Sequence, residues 1–476
     1  INYSGNDPRK LIDALIRHIK EGFRVLVHTT GQKAKSKWGS INLESYLKKK
    51  FKELKILRID SESVAEPGHP AYGCMDSLNQ ILSDYDIVIC SPVIETGVSI
   101  DLKGHFNSVW CIAMGVQTVD AVCQTTERLR DNVPRHIWIK TTAKGNRIGN
   151  GATSIKSLLY SEHKKTNANI RLLQQADIND FDELDVNYSR ESFNTWAKRA
   201  CLVNSGKNDY RAEILSKLIE EGYELYDPNN PAKPDIVNEE LKQVRTENYQ
   251  IYREGVTAAP TPTEEQLKTL KKKRAKTKAE REIERKGNLA SRYGIEVTPE
   301  LVQKDDLGWY NQLKLHYYLT IGNIYLAQRD KRSLSKLTEN SNGKAFKPDI
   351  NKRTLSAKVK ALQIINIEQF FDPDAKFTSN SLADWFLVVK KYWYEIKILL
   401  GVNINCEKDS AITVAQRILS KLGLKLDYLH WRGSRKSKQR VYGVGKLDAD
   451  GREQVFANWL AKDEKMYSPD TVLTLL

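Results

Sequence analysis

The first 150 residues alternate short, almost wholly apolar runs with longer stretches whose apolar residues recur every three or four positions. Val25–His28, Leu54–Ile59, Ile87–Cys90 and Ser108–Met114 are runs of the first kind, bounded by polar or turn residues. Such runs mark strands covered on both faces. Between them the period is helical. Asp7-Pro8 opens a helix with Leu11, Leu15, Ile16 and Ile19 on one face, and Gly22 ends it. Ile41–Phe51 and Cys74–Leu82 follow the same pattern. Strands alternating with helices predict an α/β fold, a parallel sheet with helices on both of its faces.

Beyond residue 150 the pattern turns mainly helical, with Ser154–Tyr160, Ser192–Cys201 and Tyr210–Glu221 as the clearest segments. Their aromatics, Phe193 and Trp196 among them, read as core. Ala258–Thr263 is a boundary, and Thr263-Glu264-Glu265 starts one long helix running to Gly287. It is dominated by Lys and Arg, including Lys271-Lys272-Lys273-Arg274, and suits either a solvated linker or an arm that tracks phosphates. Leu313, Tyr317, Tyr318, Ile321, Ile324 and Tyr325 recur at helical spacing and are expected in a core. Ser379–Leu400 reads as one helix. Ala411–Leu422 reads as a second, with Gln416, Arg417 and Lys421 on its outward face. Leu424–Trp431 and Gln439–Val444 then form a hairpin pattern around a basic tip. Between Tyr428 and Lys446 stand six basic residues and no acidic one. Two helices and a basic hairpin are the layout of a winged helix-turn-helix. There the second helix enters the major groove and the wing grips the backbone or minor groove. Gln416, Arg417 and Lys421, with Arg435, Lys436, Lys438 and Arg440 of the hairpin, are therefore candidate DNA contacts.

Chemistry concentrates where the apolar runs end. Cys90-Ser91-Pro92-Val93-Ile94-Glu95-Thr96-Gly97-Val98-Ser99-Ile100-Asp101 leaves one predicted strand, and Gln124-Thr125-Thr126-Glu127-Arg128-Leu129-Arg130 follows the next. Open α/β sheets place ligand contacts at the carboxyl ends of their strands. Gln124 and Arg128 are four apart and are expected on one helix face, with a guanidinium fork turned to phosphate oxygens. The two segments resemble motifs V and VI in the second RecA-like lobe of superfamily-two helicases. The Glu-Thr-Gly-x-x-Ile-Asp wording is close to the DEAH-type form. The Gln-x-x-x-Arg-x-Arg wording is closer to viral origin-binding helicases, which usually have Gly where Glu127 stands. Phe23–Thr30 resembles motif IV, and Ile56–Asp60 the strand after it, so the resemblance covers roughly residues 1–145. It implies that Arg128, Arg130 and Gln124 serve ATP hydrolysis and that Gly97 and Asp101 meet the nucleotide. Thr30, Ser91 and Thr96 would hold the backbone of one DNA strand. As a whole the chain resembles the helicase part of plasmid-encoded cyanobacterial replication proteins.

Composition narrows the partners. A formal net charge of +15 favours a polyanion, because phosphate neutralisation releases counterions. The six cysteines show no C-x-x-C pairing, so a zinc site or disulfide framework is not expected and a cytoplasmic setting is. No run approaches the roughly 18 apolar residues of a membrane span. No G-x-x-x-x-G-K-[ST] loop occurs, and no Walker B acidic pair. Both belong to a first RecA-like lobe, which the resemblance places before residue 1.

The expected architecture is a second RecA-like lobe (1–150), a helical accessory region (151–260) and a basic linker helix (261–290). A helical module (291–375) and a winged-helix-like DNA-binding module (376–476) complete it. The expected function is the C-terminal half of an ATP-dependent DNA helicase or replication protein. ATP and Mg2+ would act in the full-length protein, and the N-terminal lobe would be a partner. Single-stranded or forked DNA would lie at the lobe, and duplex at the C-terminal module. The alternative is a non-enzymatic DNA binder of origin or partition type on a RecA-like scaffold.

Overall fold

Residues 1–92, 99–176, 190–228, 234–339, 345–433, 438–445 and 450–467 are described by a computed structural model of the chain. They fall into two compact units. The first comprises Ile1–Ile148, Leu202–Asn288 and Val297–Val302, the second Gly149–Cys201, Leu289–Glu296 and Gln303–Leu476.

In the first unit, β1 (Asn2–Tyr3), α1 (Arg9–Lys20), β2 (Val25–Thr29), α2 (Ser40–Lys50) and β3 (Ile56–Ile59) lead into α3 (Leu78–Leu82) and β4 (Ile87–Cys90). After these come β5 (Ser108–Ala113), α4 (Val119–Thr126) and β6 (Arg135–Ile139). The six strands form one sheet in the order β1-β6-β5-β2-β4-β3, and every pair is parallel. Each central strand is buried on both faces, as its apolar run predicts, and alternation sorts the side chains. Val25, Val27, Trp110 and Ile112 pack with α1 and α2 on one face. Leu26, Val88 and Val109 pack with Leu78 and Leu82 of α3 on the other. Two strands escape the sequence pattern. β1 is only two residues long, and β6 opens with Arg135-His136, which breaks its apolar run.

The chain then runs through α5 (Ile155–Gln174), α6 (Arg190–Asn208), α7 (Tyr210–Glu220), α8 (Pro234–Ala258), α9 (Glu264–Lys272) and α10 (Lys278–Tyr293). The helices expected over 151–260 divide between the units. Tyr210, Ile214 and Leu218 of α7 close over Cys111, Ala113 and Ile139, and Val237, Leu241 and Val244 of α8 join the α1–α2 face. The single basic helix expected from Thr263 is two. Thr263 and Gln266 form a capping box that starts α9, and Lys273 leaves it in an extended conformation. Thr277 then caps a new helix. Its N–H donates to Glu280 Oε2 at 2.9 Å, and its hydroxyl accepts the Glu280 N–H at 3.2 Å. Thr277-Lys278-Ala279-Glu280 is itself a capping-box signature, and it outcompetes continuation of the helix. Much of the basic charge here is spent inside the unit. Lys276 pairs with Glu284 at 2.7 Å, Arg281 donates to Ser61 O at 2.6 Å, and Lys286 donates to Thr257 O and Ala259 O. Lys268, Lys271, Lys272 and Arg274 remain exposed.

The second unit is mainly helical, adding α11 (Pro299–Asp306), α12 (Trp309–Leu319), α13 (Leu326–Glu339), α14 (Lys347–Arg353) and α15 (Ser356–Ile364). α16 (Ala383–Lys391), α17 (Trp393–Leu400), α18 (Ala411–Leu419), a hairpin of β7 (Leu426–Arg432) with β8 (Gln439–Val444), and α19 (Arg452–Tyr467) follow. Leu313, Tyr317 and Tyr318 are core as expected. Ile321 and Ile324 are not, because α12 ends at Leu319 and the turn after it faces solvent. The helix expected over Ser379–Leu400 is interrupted where Tyr392 leaves helical dihedrals (φ −106°, ψ 21°). Among the described residues no helix is long and apolar enough to cross a membrane, and no cluster of His, Cys, Asp or Glu is placed to hold a metal ion.

Three buried imidazoles make the fold acid-sensitive. Burial, with the Arg128 guanidinium adding to it, pushes His28 down to about 4. Burial pushes His136, stacked on Trp110 at 3.8 Å, to about 3. Burial, helped by Arg452, takes His316 in the second unit to about 3. All three fold as neutral rings, whereas in the unfolded chain they titrate near 6.5. Stability from each is therefore complete above pH ~6.5 and is lost as pH falls toward 3–4. At pH 4.5 each site should have lost roughly 2–3 kcal/mol or less. His136→Phe should accordingly flatten the fall in Tm between pH 7 and 4.5 for the transition of the first unit. An unchanged pH profile in that variant would exclude His136 as a source.

Candidate functional site

The carboxyl edge of the sheet is set by its topology. From β2 the chain goes through α2 toward β3, and from β5 through α4 toward β6, so the adjacent β2 and β5 form the switch point where such sheets open a crevice. Thr29 ends β2 with its hydroxyl donating to Gly31 O at 3.1 Å. Thr30 is 9% exposed and Ser91, beyond β4, is 5% exposed, so the structure places both within the edge rather than projecting from it.

The two chemistry-bearing segments meet directly. Ile100 and Leu129 form a parallel bridge. The Ile100 N–H donates to Arg128 O at 2.9 Å, and the Arg130 N–H donates to Ile100 O at 2.9 Å. The link extends into side chains. Arg130 Nε donates to Ser99 Oγ at 3.4 Å, Ser99 donates to Asp101 Oδ1 at 2.8 Å, and the Asp101 N–H donates to Asn79 Oδ1 at 3.0 Å. Asp101 and Arg130 are exposed, and Arg128 is half-buried, its charge felt by His28 at the end of β2. Thr96 and Gly97 lie outside the described residues.

One expectation fails here. Gln124 and Arg128 do not share a helix face, because α4 stops at Thr126. Thr125 and Thr126 bond back to Ala121 O and Cys123 O, both at 2.7 Å, and Glu127 caps the end. The next residues leave the helix to reach Ile100. The bridge thus takes the arginines that the helical spacing assigned to α4, while Gln124 stays exposed on the helix. Glu127 is half-buried at the end of α4. Its carboxylate stands near Glu221, whose pKa is raised by burial and then by Glu127.

The segment from Gly115 to Arg135 is held at both ends by cations the sequence did not single out. Lys207 of α6 is 3% exposed. Its ammonium donates to Gly115 O at 2.7 Å and Val116 O at 3.0 Å, and also to Gln117 O. The Tyr210 hydroxyl adds a second donor to Gln117 O at 3.0 Å. Burial lowers Lys207 to about 8, so at neutral pH the charged form faces these carbonyls. Gly115 (φ +86°) lies so close to Ala143 that an added Cβ would approach its methyl to 2.7 Å. At the other end the Arg135 guanidinium donates to Leu129 O at 2.9 Å, Asp131 O at 2.8 Å and Val133 O. Neither residue carries a sequence signal, since a lysine late in a polar helix and an arginine opening a strand look like surface charge.

In the second unit, the exposed flank of α18 carries Gln416, with Lys421 half-exposed after it, as the sequence predicts. Arg417 is engaged locally, donating to Asn403 O at 3.0 Å and to Asp409 Oδ2 at 2.5 Å. Lys438 and Arg440 are exposed on the hairpin, and Arg435 and Lys436 lie outside the described residues.

A parallel α/β unit with an arginine-bearing, bridge-locked edge, joined in sequence to a mainly helical unit with a basic hairpin, defines the class. No family model matches the chain, and no solved structure matches it. It is similar to an uncharacterized protein of Picosynechococcus sp. (strain ATCC 27264 / PCC 7002 / PR-6), 45% identical over 469 residues. The match covers 97% of this chain and 46% of that protein, so the chain spans about half the length of the curated relative it matches.

Proposed function

We propose that this chain is the C-terminal part of an ATP-dependent DNA helicase or replication protein, with the first unit acting as its second RecA-like lobe and the end of the second unit as a winged-helix-like DNA module. The observation that carries the reading is the Ile100–Leu129 bridge. It brings the segments that carry Asp101, Arg128 and Arg130 side by side, which supports reading them as the paired helicase motifs. The residues present suit one side of a nucleotide. Arg130 offers an exposed planar fork to phosphate oxygens, and Asp101 offers a carboxylate to a hydroxyl or a coupling contact. ATP, when bound, supplies the free energy of phosphoryl transfer. The role of this chain is then to hold positive charge where negative charge spreads over the transferring group. The reading assigns the phosphate loop and the Mg2+ ligands to the other lobe. The basic residues left exposed after the internal pairs are counted, on α9 and the hairpin, support DNA as the polyanion. A cytoplasmic location is part of the same proposal.

The 476 residues alone should bind DNA and show no DNA-stimulated ATP hydrolysis, whereas a longer form that supplies a phosphate loop should show it. Steady-state phosphate release on both forms tests this. Turnover by the 476 residues that persists through repurification and scales with protein concentration overturns the division of labour.

A further inference from the structure

β7 and β8 pair Tyr428 with Tyr442, His430 with Val441 and Trp431 with Arg440, so two residues of β7 oppose one of β8 at Leu429. Three positions apart on a regular strand, Tyr428 and Trp431 would point to opposite faces. The bulge removes that half-period and returns them to the same one. Their rings lie 6.3 Å apart, and Tyr442 is 6.2 Å from Tyr428. From β8 the alternation adds Lys438 and Arg440 to this face. The Lys438 ammonium is 4.7 Å and the Arg440 guanidinium 5.1 Å from the Trp431 ring centre. On the opposite face Val441 is 2% exposed; the aromatic face is buried at its base, at Leu426 and Val444, and open toward the tip, where Tyr428 is 50% and Trp431 44% exposed. The nearest carboxylate of the ribbon, Asp427, is tied to Lys425 at 2.8 Å.

We infer that this face is a stacking platform for unpaired bases of single-stranded DNA, a role that rests on the DNA-acting reading above and goes beyond a wing gripping duplex phosphates. Duplex DNA offers proteins its groove edges and its phosphates, whereas the flat π-faces of its bases are covered by their neighbours. Only unpaired bases present those faces. A tryptophan and a tyrosine left in water on one side of a ribbon match that surface, and the two cations against Trp431 stand where the phosphates of a stacked nucleotide pass. The aromatics line the broad face of the ribbon rather than its tip, which is the wrong place for a wing that only touches a backbone. A second protein would also cover exposed aromatics, but paired cations, with Asp427 tied to Lys425 as the one carboxylate among the described residues of the ribbon, favour the polyanion.

The test uses the 476-residue chain with labelled oligo(dT) and a duplex of equal length, read by fluorescence anisotropy across a salt series. Trp431→Ala should weaken oligo(dT) binding about tenfold or more, since a stacked base is worth roughly 1–3 kcal/mol. It should leave duplex affinity and the salt slope within error. Tyr428→Ala should act in the same direction. Trp431→Phe should restore most of the affinity, because a ring and not the indole nitrogen does the work. Arg440→Gln should instead lower the salt slope for both ligands by about one phosphate contact. The side chains are exposed, so thermal unfolding should match the parent, and circular dichroism checks it. Equal losses on single strand and duplex, or no loss with Trp431→Ala and Tyr428→Ala, overturn the platform while leaving DNA binding standing. Failure to bind either DNA overturns both readings. Dissociation of a self-associated form on Trp431→Ala, with DNA affinity unchanged, assigns the face to protein contact and also overturns it.

Discussion

On the proposed reading, replacing Arg128 with Ala in a longer form that supplies a phosphate loop should cut ATP turnover by about a thousandfold or more while leaving DNA affinity nearly intact. A guanidinium aimed at the transferring phosphoryl group stabilises charge that develops only in the transition state, so its loss falls on the chemical step. Arg128→Lys should fail almost as badly, because a compact ammonium cannot present two parallel donors. The geometry gives Arg130 a distinct signature. Its Nε meets Ser99, which in turn holds Asp101, so Arg130→Ala should also raise the KM for ATP as Asp101 loses its orientation. Steady-state kinetics on both variants, with DNA binding measured separately, decides between them. Parent rates in both would make the segment a structural staple and remove the helicase assignment.

The second large effect concerns a residue that touches no ligand. Lys207→Met keeps the length of the side chain and deletes its charge, taking the ammonium from Gly115 O, Val116 O and Gln117 O, while Gly115 O keeps the Asn146 amide at 2.9 Å and Gln117 O keeps the Tyr210 hydroxyl. Stranding buried acceptors of a charge-assisted network costs about 3 kcal/mol or more. In a unit of this size that lowers Tm by roughly 6–12 °C. Differential scanning calorimetry of the variant reads it directly. A change within 1–2 °C would mean that water or loop relaxation replaces the ammonium. Lys207→Arg should not rescue the loss, because a planar fork cannot converge on three carbonyls of one tight loop as an ammonium does.

What the sequence disclosed and what it hid follow from range. The β2, β4 and β5 strands are self-contained apolar runs, so their bounds and their burial on both faces are readable without knowing their neighbours. β1 and β6 hold their places through pairing with each other and with β5, a non-local fact that two residues of Asn-Tyr or an Arg-His start cannot announce. The same holds at the edge. Asp101, Arg128 and Arg130 stand out in the sequence as candidates, and the structure ties their segments together at the Ile100–Leu129 bridge. That α4 ends at Thr126 depends on a pairing between residues nearly thirty positions apart, and helical spacing alone misassigned Arg128 to the helix. The break between α9 and α10, by contrast, was written locally in Thr277-x-x-Glu280. It was masked by the continuous run of basic side chains around it. Lys207 and Arg135 illustrate the opposite limit. A cation reads as solvated unless the three-dimensional structure shows the carbonyls that surround it.

The bridge between Ile100 and Leu129 has a mechanical meaning. Two hydrogen bonds, running in opposite directions between the same short segments, cannot be broken one at a time without a backbone twist that strains the other. The amides of Ile100 and Arg130 therefore open to solvent together, as a single latch. Any ligand that stiffens either segment protects both from hydrogen exchange. What happens at Arg128 and Arg130 is in this way communicated to Ile100 and Asp101 by the backbone itself, without the relay of a side chain.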